Sequence, residues 1–212
     1  TVSGEGKTFC SISLASIYAL SGNKTVLLSS DLRKPKVFNI FEIENAKIGL
    51  SSYLIGKNTI DDIIFKSESE TLDIIPSGSV PPNPTELLER PAMKTLMDEL
   101  HKRYDYIIID TSPVGLVADA LNIMKLVDTT LFIIRQNYSN KSSVVMLNDI
   151  VTMTKQENIG IVINDVNVEK RGYGYGYGKY SYGYGYGYGY GTYYSDEKNK
   201  NRKKSIFRRI FG

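Results

Sequence analysis

Five short runs of apolar, largely β-branched residues recur along the chain: Lys24–Ser29 (KTVLLS), Leu72–Ile75 (LDII), Tyr106–Asp110 (YIIID), Thr130–Arg135 (TLFIIR) and Gly160–Asn164 (GIVIN). Runs of this kind predict strands buried on both faces, the situation of a parallel sheet. Longer stretches with helical periodicity alternate with them, over Thr8–Leu20, Thr85–Lys102, Ala118–Leu126 and Ser142–Thr154. Strands alternating with helices predict an α/β fold with a doubly wound, mostly parallel sheet. The sequence Pro81-Pro82-Asn83-Pro84 interrupts the rhythm and predicts a rigid, exposed turn ahead of the helix at Thr85.

Near Val168 the pattern stops. A chain of 212 residues with 42% hydrophobic residues has material for one buried domain of roughly 150–170 residues and a tail. We place the domain at 1–168 and the tail at 169–212. Gly172–Gly191 is largely a Tyr-Gly alternation, with too little apolar content to offset the entropy of ordering, so it is expected to be disordered. The net charge of +3 is split unevenly: the tail from Glu169 carries +7 and the rest −4. Lys198–Gly212 joins seven basic residues to Ile206, Phe207, Ile210 and Phe211. As a helix it would be amphipathic and suited to a membrane surface; a solvated basic end is the plainer alternative.

Cys10 is the only cysteine. It excludes an internal disulfide framework, fits a reducing cytoplasm and reads as a small core residue. No run reaches the ~18–20 apolar residues of a membrane span, and no signal peptide is visible. His101, the only histidine, stands beside Lys102 and Arg103 and reads as a surface residue, so histidine chemistry has little to work with. The chain opens at Thr1 directly on a glycine loop, without the strand that usually leads into one. We therefore expect a fragment whose N-terminal part is missing.

That loop, Ser3-Gly4-Glu5-Gly6-Lys7-Thr8 followed by Phe9, opens the first predicted helix. Glycines let successive N–H groups curl toward phosphate oxygens, and the helix N-terminus adds partial positive charge. Lys7 would neutralise the β- and γ-phosphates and Thr8 would give a hydroxyl to Mg²⁺. The match to G-x-x-x-x-G-K-[ST] is incomplete, because its first glycine falls on Thr1. Asp110 ends a hydrophobic strand, at the sheet edge where ligands of open α/β folds bind, and can hold the metal directly or through water. The run Leu27–Pro35 (LLSSDLRKP) is again a strand entering an acidic loop. There Asp31 would share the metal or help deprotonate a hydroxyl, and Arg33 would reach phosphate or an acidic partner. Arg135 and Asn164 end strands at the same presumed edge.

Eleven of the sixteen tyrosines lie in the tail: Tyr173, Tyr175, Tyr177, Tyr180, Tyr182, Tyr184, Tyr186, Tyr188, Tyr190, Tyr193 and Tyr194. On a flexible strip they would present a high local concentration of phosphoryl acceptors. Tyr-Gly repeats beside Lys and Arg also suit stacking on single-stranded nucleic acid, a reading that ranks behind the first once the glycine loop is considered.

The joint occurrence of SGEGKTF at 3–9, LLSSDLRKP at 27–35, GLSSYLIG at 49–56, PPNPTELL at 81–88, IIIDTSPV at 107–114 and the tyrosine cluster resembles the bacterial protein-tyrosine kinases of capsule and exopolysaccharide systems. The resemblance implies a P-loop fold like that of the partitioning ATPases. It also implies ATP and Mg²⁺ as cofactors, held by three Walker-type elements, and phosphorylation of tail tyrosines between subunits of a homo-oligomer. Carried over by position, Lys7 and Thr8 match the Walker A element, Asp31 the second carboxylate of the A′ element and Asp110 the Walker B aspartate. Asn164 resembles the position that hydrogen-bonds the adenine edge. The family further implies work at the cytoplasmic face of the inner membrane with a membrane-embedded co-polymerase activator. Two departures stand out. Ser29 occupies the first acidic position of A′, and Val2 replaces the signature lysine of the partitioning branch. The alternatives carried forward are a non-kinase ATPase switch and a nucleotide-regulated adaptor with a nucleic-acid-binding tail.

Overall fold

The computed structural model of the chain describes residues 2–34, 37, 41, 43, 47–114, 119–154 and 158–167. The tail and its eleven tyrosines lie outside the described residues, as do Pro35 and Ala118.

In chain order the elements are α1 (Lys7–Leu20), β1 (Thr25–Ser29), α2 (Leu50–Leu54), α3 (Ile60–Ile63), β2 (Phe65–Lys66) and β3 (Leu72–Ile75). They continue with α4 (Pro84–Leu88), α5 (Pro91–Arg103), β4 (Tyr106–Asp110), α6 (Asp119–Met124), β5 (Thr130–Arg135), α7 (Ser142–Thr154) and β6 (Ile159–Asn164). Among the described residues the strands form a four-stranded sheet, β2-β3-β1-β4, and a two-stranded sheet, β5-β6. All five predicted strands pair in parallel, and only the short edge strand β2 runs antiparallel.

The register sets the chemistry. Thr25 pairs with Tyr106 and Ser29 with Asp110, so these two strands end level. Likewise Thr130 pairs with Ile159, and Arg135 with Asn164. Every strand-end residue singled out in the sequence therefore sits at a carboxyl edge.

Alternation along β1 splits the core. Val26 and Leu28 face a cluster with Leu87, Met93, Leu96 and Leu100 beneath α4 and α5. Leu27 faces Ile12, Ala15 and Ala19 of α1. A third cluster joins Phe132 to Leu147 and Ile150, packing α7 on β5. Cover on both faces holds for β1 and β3, which are buried throughout, but not for β5 and β6, where Leu131, Ile161 and Ile163 are exposed, so the expectation of strands buried on both faces fails for that pair.

Two further expectations change. The stretch Thr85–Lys102 is not one helix, because α4 stops at Leu88 and α5 starts at Pro91. Pro91 disfavours helical backbone in the residue before it, and Arg90 is extended (φ −63, ψ 146). Cys10 is half-buried rather than a core residue; burial raises its thiol pKa. No described helix is long and apolar enough to cross a membrane.

Candidate functional site

The loop before α1 is shaped by two glycines. Gly4 and Gly6 have φ of 87° and 92°, in the left-handed region that other residues adopt only under strain. Close approach adds a second reason. A Cβ on Gly6 would stand 2.2 Å from Nδ2 of Asn164, and one on Gly4 would stand 2.8 Å from the Tyr138 hydroxyl. Gly6 is the N-cap of α1, with no side chain capping the helix. Successive N–H groups of the first turn are free of intrahelical partners by geometry, so this terminus suits an anion.

The loop rests on the ends of β5 and β6. Asn164 Nδ2 donates to the Glu5 carbonyl at 2.9 Å, Arg135 Nη1 to the Gly4 carbonyl at 3.1 Å, and the Tyr138 hydroxyl to the Ser3 carbonyl at 2.9 Å. Arg135 also stacks over the Tyr138 ring and pairs with Asp165. Arg135 and Asn164 were visible as strand ends in the sequence. Tyr138 and Ser139 were not, because their role depends on where the β5–α7 loop lands, nor was Asp165, which follows β6 and gains its partner only once β5 lies beside it.

On its other side the loop meets the first sheet. The buried Asp110 carboxylate takes hydrogen bonds from Thr8 and from Ser11, the latter at 3.4 Å. Burial raises its pKa from 3.8 to about 6. The Thr8 and Ser11 bonds and the Lys7 charge pull the other way, and the Asp31 charge pushes further up. Thr8, Lys7 and Asp31 therefore all bear on Asp110 at a single edge. Ser30 fixes that edge, donating through both N–H and hydroxyl to the Asp110 carbonyl.

Asp31 accepts from the N–H groups of Arg33 and Lys34 at 3.1 and 3.0 Å, which holds the A′ loop in a tight turn. Arg33 does not point toward the glycine loop. Its Nε donates to Asp119 at 2.8 Å and its Nη2 to Thr85 at 3.0 Å, the acidic-partner alternative of the sequence reading. Burial pushes the Asp119 carboxyl up, but the Arg33 and Thr85 bonds outweigh it and leave the pKa below the usual value. Asp119 is a further site residue that no local pattern announced.

Lys7 Nζ lies 3.3 Å from Glu5 Oε2 and also donates to the Val2 carbonyl. Ser3 and Phe9 are exposed at the loop mouth, and His101 is exposed on α5. The donor set of Thr8 hydroxyl and two aspartates is hard oxygen, the chemistry Mg²⁺ takes. Among the described residues no cluster of three or more His, Cys, Asp or Glu side chains forms a metal cage. Mg²⁺ is usually held by one or two carboxylates together with substrate phosphates. A cavity of about 410 Å³ lies at the opposite edge, lined in part by Lys24, Asp73, Arg103 and Tyr104.

Comparison with known proteins agrees. An AAA domain family model matches residues 2–163. Tyrosine-protein kinase YwqD of Bacillus subtilis is 35% identical over 167 residues, which cover 79% of this chain and 70% of that protein. Tyrosine-protein kinase CpsD of Streptococcus pneumoniae is 34% identical over 171 residues, covering 80% of this chain and 75% of its own length. The kinase domain of Escherichia coli tyrosine kinase ETK superposes with a TM-score of 0.71 at 34% identity, covering 83% of this chain and 69% of that one. By its AAA domain and these relatives, the chain belongs to the bacterial tyrosine-protein kinases.

Proposed function

We propose that the chain is an ATP- and Mg²⁺-dependent tyrosine kinase that phosphorylates the tail tyrosines, Tyr173 to Tyr194, of a neighbouring copy in a homo-oligomer. The observation that carries this reading is the meeting of Lys7, Thr8 and Asp110 at the carboxyl edge, on a loop held open by two left-handed glycines. Phosphoryl transfer asks a protein mainly for positioning and charge neutralisation. The N–H groups of the first turn and Lys7 would hold the phosphates. Thr8, Asp31 and Asp110 would hold Mg²⁺, which when bound neutralises phosphate charge. Asn164, already fixed to the loop, would border the adenine. A tyrosine hydroxyl has a pKa of about 10, so it needs a nearby acceptor for its proton, and Asp31 is the carboxylate on the more open side of the site.

Relatives named for capsule loci support a role in polysaccharide polymerisation and export, at the cytoplasmic face of the inner membrane beside a membrane-embedded co-polymerase. Each tail phosphate adds about −1.5 to −2 charges at neutral pH, so a few would overturn the tail's +7 and loosen contacts with acidic surfaces. The test incubates the full chain with Mg-ATP, wild type beside Lys7→Met, and probes for phosphotyrosine. Lys7-dependent label on the tail supports the kinase. ATP hydrolysis without label supports a partitioning-type switch instead.

A further inference from the structure

In the sequence, Glu5 is an unconstrained position of the glycine loop. In the fold its side chain is fully buried, at 0% exposure. Oε2 accepts the Val2 N–H at 2.7 Å and faces Lys7 Nζ at 3.3 Å, while Oε1 accepts the Ser139 hydroxyl at 2.7 Å. Ser139 in turn accepts the Arg135 N–H at 3.0 Å. One carboxylate thus joins the start of the loop, the loop lysine and the β5–α7 loop.

We propose that Glu5 is a positioning residue that holds the Lys7 ammonium back from the phosphates, so that nucleotide binds in competition with the Glu5–Lys7 pair. The chemistry is simple. A buried carboxylate keeps whatever partners it has, and Lys7 is a cation within contact distance of it. A triphosphate would offer Lys7 a competing anionic partner of higher charge. Drawing Lys7 away would weaken the bond to Glu5, while Val2 and Ser139 still donate to the carboxylate. Glu5 therefore lowers nucleotide affinity through Lys7. The consequence for turnover rests on the kinase reading above; the consequence for binding rests on the phosphate loop alone.

The experiment titrates the full chain with Mg²⁺ and a fluorescent ADP, comparing wild type, Glu5→Gln, Ser139→Ala, Lys7→Met and Glu5→Gln/Lys7→Met. Glutamine keeps the shape and can still accept from Val2 while its amide donates to Ser139. Removing one charge beside the lysine is expected to tighten ADP about tenfold, to lower KM for Mg-ATP similarly and not to raise kcat. Ser139→Ala keeps the charge, so its affinity stays within about twofold of wild type even if its melting temperature falls. In the Lys7→Met background the gain from Glu5→Gln collapses, because the effect runs through Lys7. Weaker ADP binding by Glu5→Gln overturns the proposal, as does an equal change in Ser139→Ala or an undiminished gain without Lys7. If Glu5→Gln does not fold, Glu5→Asp, which withdraws the charge by one methylene, should shift affinity the same way; no gain there overturns it too. Failure of the wild type to bind any ADP would instead remove the nucleotide-site reading itself.

Discussion

Asp110 gives the sharpest test of the site. Its side chain is 2% exposed, and burial lifts its pKa from 3.8 to about 6. A carboxyl whose folded pKa exceeds its unfolded one is no burden below pH ~4, where both states are protonated; it becomes one as pH rises to the folded value, and the full cost stands above it. At ~1.4 kcal/mol per unit, a shift of this size makes the ionised group cost roughly 3 kcal/mol at pH 7.5. Asp110→Asn removes the charge and keeps the shape. Its Oδ1 can still accept from Thr8 and Ser11, and the main-chain bonds from Ser30 are untouched. We expect the unliganded variant to be more stable than wild type by ~2–3 kcal/mol at pH 7.5, about 5–10 °C in Tm for a domain of this size. The advantage should fade between pH 6 and 4. Mg-nucleotide binding should be lost, whereas in wild type it should weaken below pH ~6 as Asp110 takes up a proton. Urea and thermal melts of both proteins at four pH values between 4 and 7.5 would decide. A variant less stable than wild type, or a difference that ignores pH, refutes the assignment of Asp110 as a desolvated, functionally retained charge.

Two further outcomes follow from the geometry. Gly6→Ala combines a left-handed φ with a Cβ only 2.2 Å from Asn164 Nδ2, so it should destabilise by about 1–3 kcal/mol and abolish nucleotide binding; adding Asn164→Ala should recover only part of the melting temperature, since the strained backbone remains. Arg33→Ala strips the buried Asp119 of its cation; because Arg33 is itself 40% exposed and solvent screens the pair, the cost should be ~1–3 kcal/mol at pH 7 in a denaturant melt. Because the Asp119 pKa is depressed in the fold, that contribution is present above pH ~4 and lost as pH falls through the folded value, so the two proteins should converge on acidification.

What could be read in the sequence was what is local. Each of the five strand runs reappears within a residue of its expected bounds, although only β1 and β3 are buried throughout and β5 and β6 leave Leu131, Ile161 and Ile163 exposed. Lys7, Thr8 and Asp110 were recognisable because a phosphate loop and a strand-ending aspartate are short, self-contained devices. The break at Arg90 was also legible, since a residue before proline resists helical backbone; helical periodicity on both sides masked it. α2 and α3, of five and four residues, are too short for periodicity to register, although Thr59 and Asp62 do form a reciprocal cap at the start of α3. Glu5, Ser139 and Asp119 belong to a different class. Their meaning comes from partners 134 and 86 positions away, as in Ser139 with Glu5 and Arg33 with Asp119, and no window of sequence contains both ends. The polar run after Thr130–Arg135, at the carboxyl edge of a strand, was the one signal that could have flagged Ser139.

Three buried carboxylates surround the site, and desolvation acts on all of them, yet the fold treats them differently. Asp119 is met by a guanidinium and a hydroxyl, so its charge is satisfied within the chain and its pKa falls. Glu5 is met by an ammonium, a hydroxyl and a backbone N–H. Asp110 is met chiefly by hydroxyls, with Lys7 a weaker influence and the Asp31 charge opposing it, so burial wins and its pKa rises. A carboxylate in that condition gains more from an arriving cation than the paired Asp119 does, because the cation removes a cost that no internal partner has removed. The imbalance at Asp110 is therefore the physical reason a divalent metal would settle at this edge, with the paired Asp119 and Glu5 serving to hold the A′ loop and the phosphate loop in place around it.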